Sequence, residues 1–220
     1  MRMWPRLWRR FSVSEPVRRV SLALSGWNED APSMGVRIWR DAYGDVLSLS
    51  IPEQPIAIPT EPAELRKWCR SLAEERGAGL IEAFAVDGAL GPAVRLIYKR
   101  LQIPAYIYTG MLFTSAEAMS VVWTAVAHER GTTGVREAIV TANLINEGKL
   151  ASSEDYRNLW ARDPYDPEYH GVDRSVLHFI SDDASYDEQF PDHPLTTVRR
   201  LLTMIPASAG LNPEAQGGSD

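Results

Sequence analysis

Between residues 80 and 128, four segments rich in β-branched and aromatic residues follow one another with only short turns between them. Leu80–Val86 ends at the turn Asp87-Gly88, and Ala93–Leu101 and Tyr106–Thr114 come next. Met119–His128 is ambiguous: wound as a helix it is apolar nearly all round, whereas as a strand it puts Met119, Val121, Trp123 and Ala125 on one face. Val121-Val122-Trp123-Thr124 favours extended structure, so the strand is the better reading. Segments so closely spaced form a meander, and the connections are too short for parallel crossovers.

The flanking regions fit that sheet. Val20, Leu22 and Leu24 alternate with small residues as in a half-buried strand. Val36–Arg40 and Asp45–Ile51 bracket Ala42-Tyr43-Gly44 as a hairpin with Leu47, Leu49 and Ile51 on one side. Thr60 can cap a helix over residues 61–76 that ends at Gly77, with Leu65, Trp68, Cys69, Leu72 and Ala73 as its apolar stripe. Thr133 can cap a second helix, Val135–Glu147, stopped at Gly148. A last helix carries Leu195, Val198, Leu201, Leu202 and Ile205 on its inward side, with Asp192 or His193 near its start. The expected fold class is α+β, an antiparallel sheet with helices packed on it.

At 220 residues the chain has room for one domain with an elaboration. The expected division is a leader over 1–16, a sandwich domain over 17–150, an acidic loop-rich elaboration with the last helix over 151–206, and a disordered tail over 207–220. A single cysteine, Cys69, excludes an internal disulfide and a thiolate zinc site, and its place on a helix stripe reads as a core thiol. The net charge of −6 conceals a polarity. Residues 1–19 hold six arginines and one glutamate, while residues 151–193 hold eleven carboxylates against Arg157, Arg162 and Arg174. A body without a basic excess is a poor nucleic-acid binder. Met1–Phe11 puts Trp4, Leu7, Trp8 and Phe11 on one helical face among arginines, which leaves contact with a membrane surface open. It lacks the apolar core of a secretory signal, so the expected compartment is the cytoplasm.

The run Trp39-Arg40-Asp41 through Gly44-Asp45-Val46-Leu47-Ser48-Leu49, the stretch Glu129-Arg130-Gly131-Thr132-Thr133-Gly134-Val135-Arg136-Glu137-Ala138 and the segment Tyr186-Asp187-Glu188-Gln189-Phe190-Pro191-Asp192-His193-Pro194-Leu195 carry a resemblance. In element order and local texture over residues 17–148, the chain resembles bacterial proteins of the PsbP-like α/β/α sandwich, a fold shared with DcrB-type proteins and a Ran-binding nuclear transport factor. That resemblance implies a binding, accessory or chaperone-like role; it brings no catalytic residues and no cofactor.

Motifs of chemistry are few. His128-Glu129-Arg130-Gly131-Thr132 lacks the second histidine of a zincin helix, and no phosphate-binding loop or nucleophile elbow occurs. Gly131, Thr132, Thr133 and Gly134 with Arg136 have the parts of an anion pocket at a helix start, against the plainer reading of a capped turn in which Glu137 pairs with Arg130 or Arg136. Asp182, Asp183, Asp187, Glu188 and Asp192, flanked by His178 and His193, match no metal-ligand spacing, and no metal is expected there. The functional expectation is a non-enzymatic protein that binds another protein or a second copy. Its contact residues would be Tyr165, Tyr169, His170, Asp182, Asp183, Asp187 and Glu188. The alternatives are a hydrolase using His178 and His193 with nearby aspartates, or anion binding at Gly131–Arg136.

Overall fold

Each strand of the meander registers on the next without a break through most of its length. In the computed structural model, which describes residues 17, 20–31, 35–88, 90–116, 119–152, 154–155 and 160–211, β5 (Gly79–Val86), β6 (Ala93–Gln102), β7 (Ala105–Ala116) and β8 (Met119–His128) pair antiparallel in sequence order. Three earlier strands, β2 (Trp27–Glu29), β3 (Val36–Asp41) and β4 (Val46–Ser50), join them through β4 against β8, from Val46 opposite Val126 to Ser50 opposite Val122. The seven-stranded order is β2-β3-β4-β8-β7-β6-β5. Two residues, Val20–Ser21, make β1, which pairs with β11 (Gly210–Leu211) outside this sheet.

After β4 the chain leaves the middle of the sheet and crosses one face, where the Ile56 N–H donates to Ser120 Oγ. It then winds α1 (Pro62–Glu74) and returns as β5 on the far edge. Leu65, Cys69 and Ala73 of α1 are buried against Leu80, Ala83, Val94, Leu96, Phe113 and Val122. Strand alternation sends Ile81, Ala93, Ile97, Tyr108, Leu112, Val121, Trp123, Leu47 and Leu49 to the opposite face. There they meet Leu195, Val198, Leu201, Leu202 and Ile205 of α3 (Pro194–Ser208), all at most 4% exposed. Burying an aliphatic side chain of this size contributes roughly 1.5–3 kcal/mol, so this stripe anchors α3. Gly110 makes the approach possible, since a Cβ there would lie 2.5 Å from Val198 and 2.6 Å from Leu202. Helix α2 (Val135–Asn146) buries Val140 and Leu144 in a third cluster with Leu150, Trp160 and Phe179.

Several local expectations change. Proline at the first turn moves the start of α1 to Pro62, with Glu61 rather than Thr60 at the N-cap. Only Val20–Ser21 of the first expected strand is extended in a ladder, while Leu22 and Leu24 pack against the core as coil. Trp27 packs against the core from β2, and Trp160 is 6% exposed. The chain does not turn to disorder at 207, because α3 runs on to Ser208 and β11 follows. The basic leader and residues 212–220 lie outside the described residues. Among the described residues no helix is long and apolar enough to cross a membrane.

The acidic segment wraps the β5 edge from one helix face to the other. On the α1 side, Arg70 makes a bidentate pair with the buried Asp163 at 2.9 and 2.8 Å. At the edge, a Cβ on Gly79 would stand 1.9 Å from the carbonyl oxygen of Val176, so the segment lies directly on the strand backbone. On the α3 side, β10 (His178–Phe179) pairs with β9 (Ala161–Arg162), and the 3-10 turns Ile180–Asp182 and Ala184–Tyr186 follow.

Candidate functional site

Where α2, α3 and this segment meet, a basic side chain from each neighbouring element finds a partner in the acidic stretch. Lys99, on the α3 side of β6, donates to Asp182 with both side chains fully buried, and its Nζ lies 3.2 Å from the centre of the Phe179 ring. Arg199 of α3 reaches Glu82 and Asp187 and donates to the Asp182 carbonyl. Glu82 faces α3 because the β5–β6 register shifts between Leu80 and Glu82. Arg136 of α2 donates to the carbonyls of Ser181 (2.6 Å) and Asp183 (2.9 Å) and to Asp187 (3.0 Å) and Thr196 (3.2 Å). Such charge-assisted bonds to planar guanidinium groups set the geometry of the junction.

Beside this junction opens a cleft of about 490 Å³, lined by the Glu129–Arg136 turn on one side and Gln189–Pro194 on the other. At its floor, Glu129 accepts from the backbone N–H groups of Gly134 (3.0 Å) and Tyr106 (2.8 Å). Gly134, at φ +74°, is the N-cap of α2 and has no side-chain cap, so the expectation of Thr133 in that role fails. The carboxylate that suits the helix start is the chain's own Glu129. Arg130 pairs with Asp45 and Arg136 with Asp187, so neither takes Glu137 as expected. Glu137 instead accepts from the Tyr108 hydroxyl at 3.5 Å through one oxygen; its other oxygen is buried without a partner among the described residues. Burial, reinforced by Asp182, raises its pKa.

His193 closes the floor as the N-cap of α3, its Nδ1 accepting from the Leu195 N–H at 3.2 Å. Its ring stands edge-on to Tyr108, with centroids 5.2 Å apart. Burial, with Arg136 nearby, lowers its pKa to about 3, so the imidazole is neutral. With Nδ1 accepting, the proton sits on Nε2, which is buried without a partner among the described residues. One ligand atom from each of Glu129, Glu137 and His193 lies within 4.8 Å of the other two. A metal there would need the Nε2 lone pair and hence the cap bond broken. Of the trio, Glu129 and His193 line the cleft, and Glu137 stands within 4.8 Å of both.

The expected site residues scatter. Arg136 cannot serve an anion in the cleft in the expected way, because it is 1% exposed and committed to the junction. Thr132 lines the cleft, while Gly131 and Thr133 belong to the same turn, whose Gly134 N–H is already taken. Asp182 has no exposed surface and cannot touch a partner. Asp187 is half-buried between Arg136 and Arg199, while Asp183 receives the Ser185 N–H and Glu188 is exposed. The Tyr165 hydroxyl accepts from the Ala83 N–H under Arg66, and Tyr169 donates to Glu74 under Arg70. His170 is exposed and lines a separate hollow with Tyr169, Arg162 and Arg174. His193 lines the cleft and His178 does not, so the hydrolase pair does not share that cavity. Cys69 is fully buried, and burial pushes its thiol up to about 12.

What the sequence reading missed is the outer side of α2. Val135, Ile139 and Ile145 are 42%, 39% and 53% exposed, and Ala138 and Ala142 are exposed between them. These residues share one side of the helix, opposite Arg136, Val140 and Leu144. The signal was present as a second apolar stripe in Val135–Ile145. Neither a scan against family models nor a search of curated proteins gives a match to the chain.

Proposed function

We propose that this is a non-enzymatic protein-binding protein whose contact surface is the outward side of α2, continuing at Val135 into the mouth of the cleft. The observation that carries the reading is a helix apolar on both sides, one buried in the third cluster and one facing solvent. A surface helix ordinarily turns a polar side to water, and a contiguous exposed apolar patch marks an interaction site. The acidic segment takes a different part from the one its charge suggested. Asp182 and Asp187 neutralise Lys99, Arg136 and Arg199 beneath α2, and Asp163 neutralises Arg70 on the α1 side, so these aspartates brace the domain instead of recruiting a basic partner. An accessory or chaperone-like role, implied by the resemblance to PsbP-like sandwiches, belongs to the same class.

The test is a photo-crosslinking amino acid placed at position 139 in the producing cells, with position 67 on α1 as control. A discrete adduct from 139, absent from 67 and lost when Ile145→Asp is added, is the expected result. Adducts indifferent to Ile145→Asp overturn the reading.

A further inference from the structure

We infer that the partner on the outward side of α2 is a second copy of this chain, docked through an antiparallel α2–α2 pair about a two-fold axis. The inference rests on the protein-binding reading above and names its partner. Val135, Ala138, Ala142 and Ile145 follow one another at spacings of three, four and three, the interval of a helix–helix seam. All four are exposed, as is Ile139 alongside them. The order of sizes along the seam is large, small, small, large. Turned antiparallel about a two-fold axis at residue 140, Ala138 meets the partner's Ala142 and Val135 meets the partner's Ile145. Alanine against alanine lets the axes approach to the near end of the roughly 8–10 Å range, while the larger residues pack at both ends. A pattern that is its own complement under this rotation is what an isologous interface requires.

Charge selects the antiparallel over the parallel arrangement. Antiparallel helices set opposite dipole ends together, and Glu147 beyond the end of α2 is already neutralised by Lys149 at 2.8 Å. A parallel pair would set like dipole ends together. Helices of 12 residues cover less than the roughly 800 Å² per partner of a standard interface, so association is weak and rises with concentration.

Sedimentation of the full chain over a concentration series is expected to show monomer passing to dimer, and Ile145→Asp to raise the dissociation constant by roughly tenfold or more. Register is read by oxidising a mixture of differently tagged Ala138→Cys and Ala142→Cys chains. The mixed disulfide is expected to exceed either like-with-like adduct, and the fully buried Cys69 does not compete. Like-with-like adducts alone overturn the antiparallel pair. A chain that stays monomeric while position 139 still gives its Ile145-dependent adduct in cells overturns the second copy and leaves the protein-binding reading standing. If both fail, both readings fall.

Discussion

Lys99 of β6 and Asp182 of the Ile180–Asp182 turn form an ion pair from which water is wholly excluded, across 83 residues of sequence. Burial draws the lysine pKa down, and Asp182 opposes the change. Burial also works against ionisation of Asp182, but Lys99 and His178 outweigh it and hold the carboxyl below its ordinary range. Removing one member of such a pair leaves the other buried and uncompensated. Lys99→Met and Asp182→Asn are each expected to cost about 3–5 kcal/mol in urea denaturation, and the double variant less than their sum. Additive losses would show that the two side chains are not coupled.

Arg136 should tolerate no cationic substitute. Its guanidinium serves two carbonyls, a carboxylate and a hydroxyl from fixed directions, and an ammonium cannot cover all four. Arg136→Lys is expected to destabilise nearly as much as Arg136→Met, measured by thermal melting. Full rescue by lysine would reduce the junction to simple charge pairing.

Two glycines make a matched test of close contact. At Gly110 an added methyl meets flexible side chains, 2.5 Å from Val198 and 2.6 Å from Leu202. Gly110→Ala is therefore expected to cost about 1–3 kcal/mol as α3 shifts. At Gly79 the obstacle is a backbone carbonyl at 1.9 Å, which cannot rotate aside, so Gly79→Ala should lift the wrapping segment from the β5 edge. Faster amide exchange at residues 174–182 in Gly79→Ala, and not in Gly110→Ala, is the expected signature.

His193 gives stability a pH dependence of defined sign. Its pKa is lowered from 6.5 to about 3 by burial, with Arg136 adding to the effect. The unfolded chain therefore binds a proton that the folded chain refuses, and stability present above about 6.5 is lost as the pH falls toward about 3. Glu137, raised by burial, acts oppositely, its share being lost as pH rises through its folded value. His193→Asn keeps a capping oxygen and removes the titration. Its stability, followed by denaturation at several pH values, should fall less steeply than that of the natural chain across this window. An unchanged slope would assign the dependence to other groups.

Periodicity made the sheet and the inward stripes of α1 and α3 legible, because Leu65, Cys69 and Ala73, like Leu195, Val198 and Leu202, repeat at helical intervals. Caps were less legible. Thr60 and Thr133 are good capping residues, but Pro62 sets the start of α1, and a left-handed glycine held by Glu129 sets that of α2. The charge polarity was visible, while its purpose depended on pairings across the chain that composition does not encode. Even so, Arg136 lies four and eight residues before Val140 and Leu144 on the buried stripe, and Lys99 shares its strand face with Ile97. A cation in register with an apolar stripe signals a buried counter-ion, and here the counter-ions are the aspartates of the acidic segment.

The short ladder of Val20–Ser21 with Gly210–Leu211 brings the two ends of the described fold to one corner, just beyond the carboxyl end of α3. His193 and the cleft stand at the opposite end of that 15-residue helix, about 22 Å away at 1.5 Å per residue. A fluorophore attached at Ser21 or Leu211 is thus held a full helix length from the cleft floor.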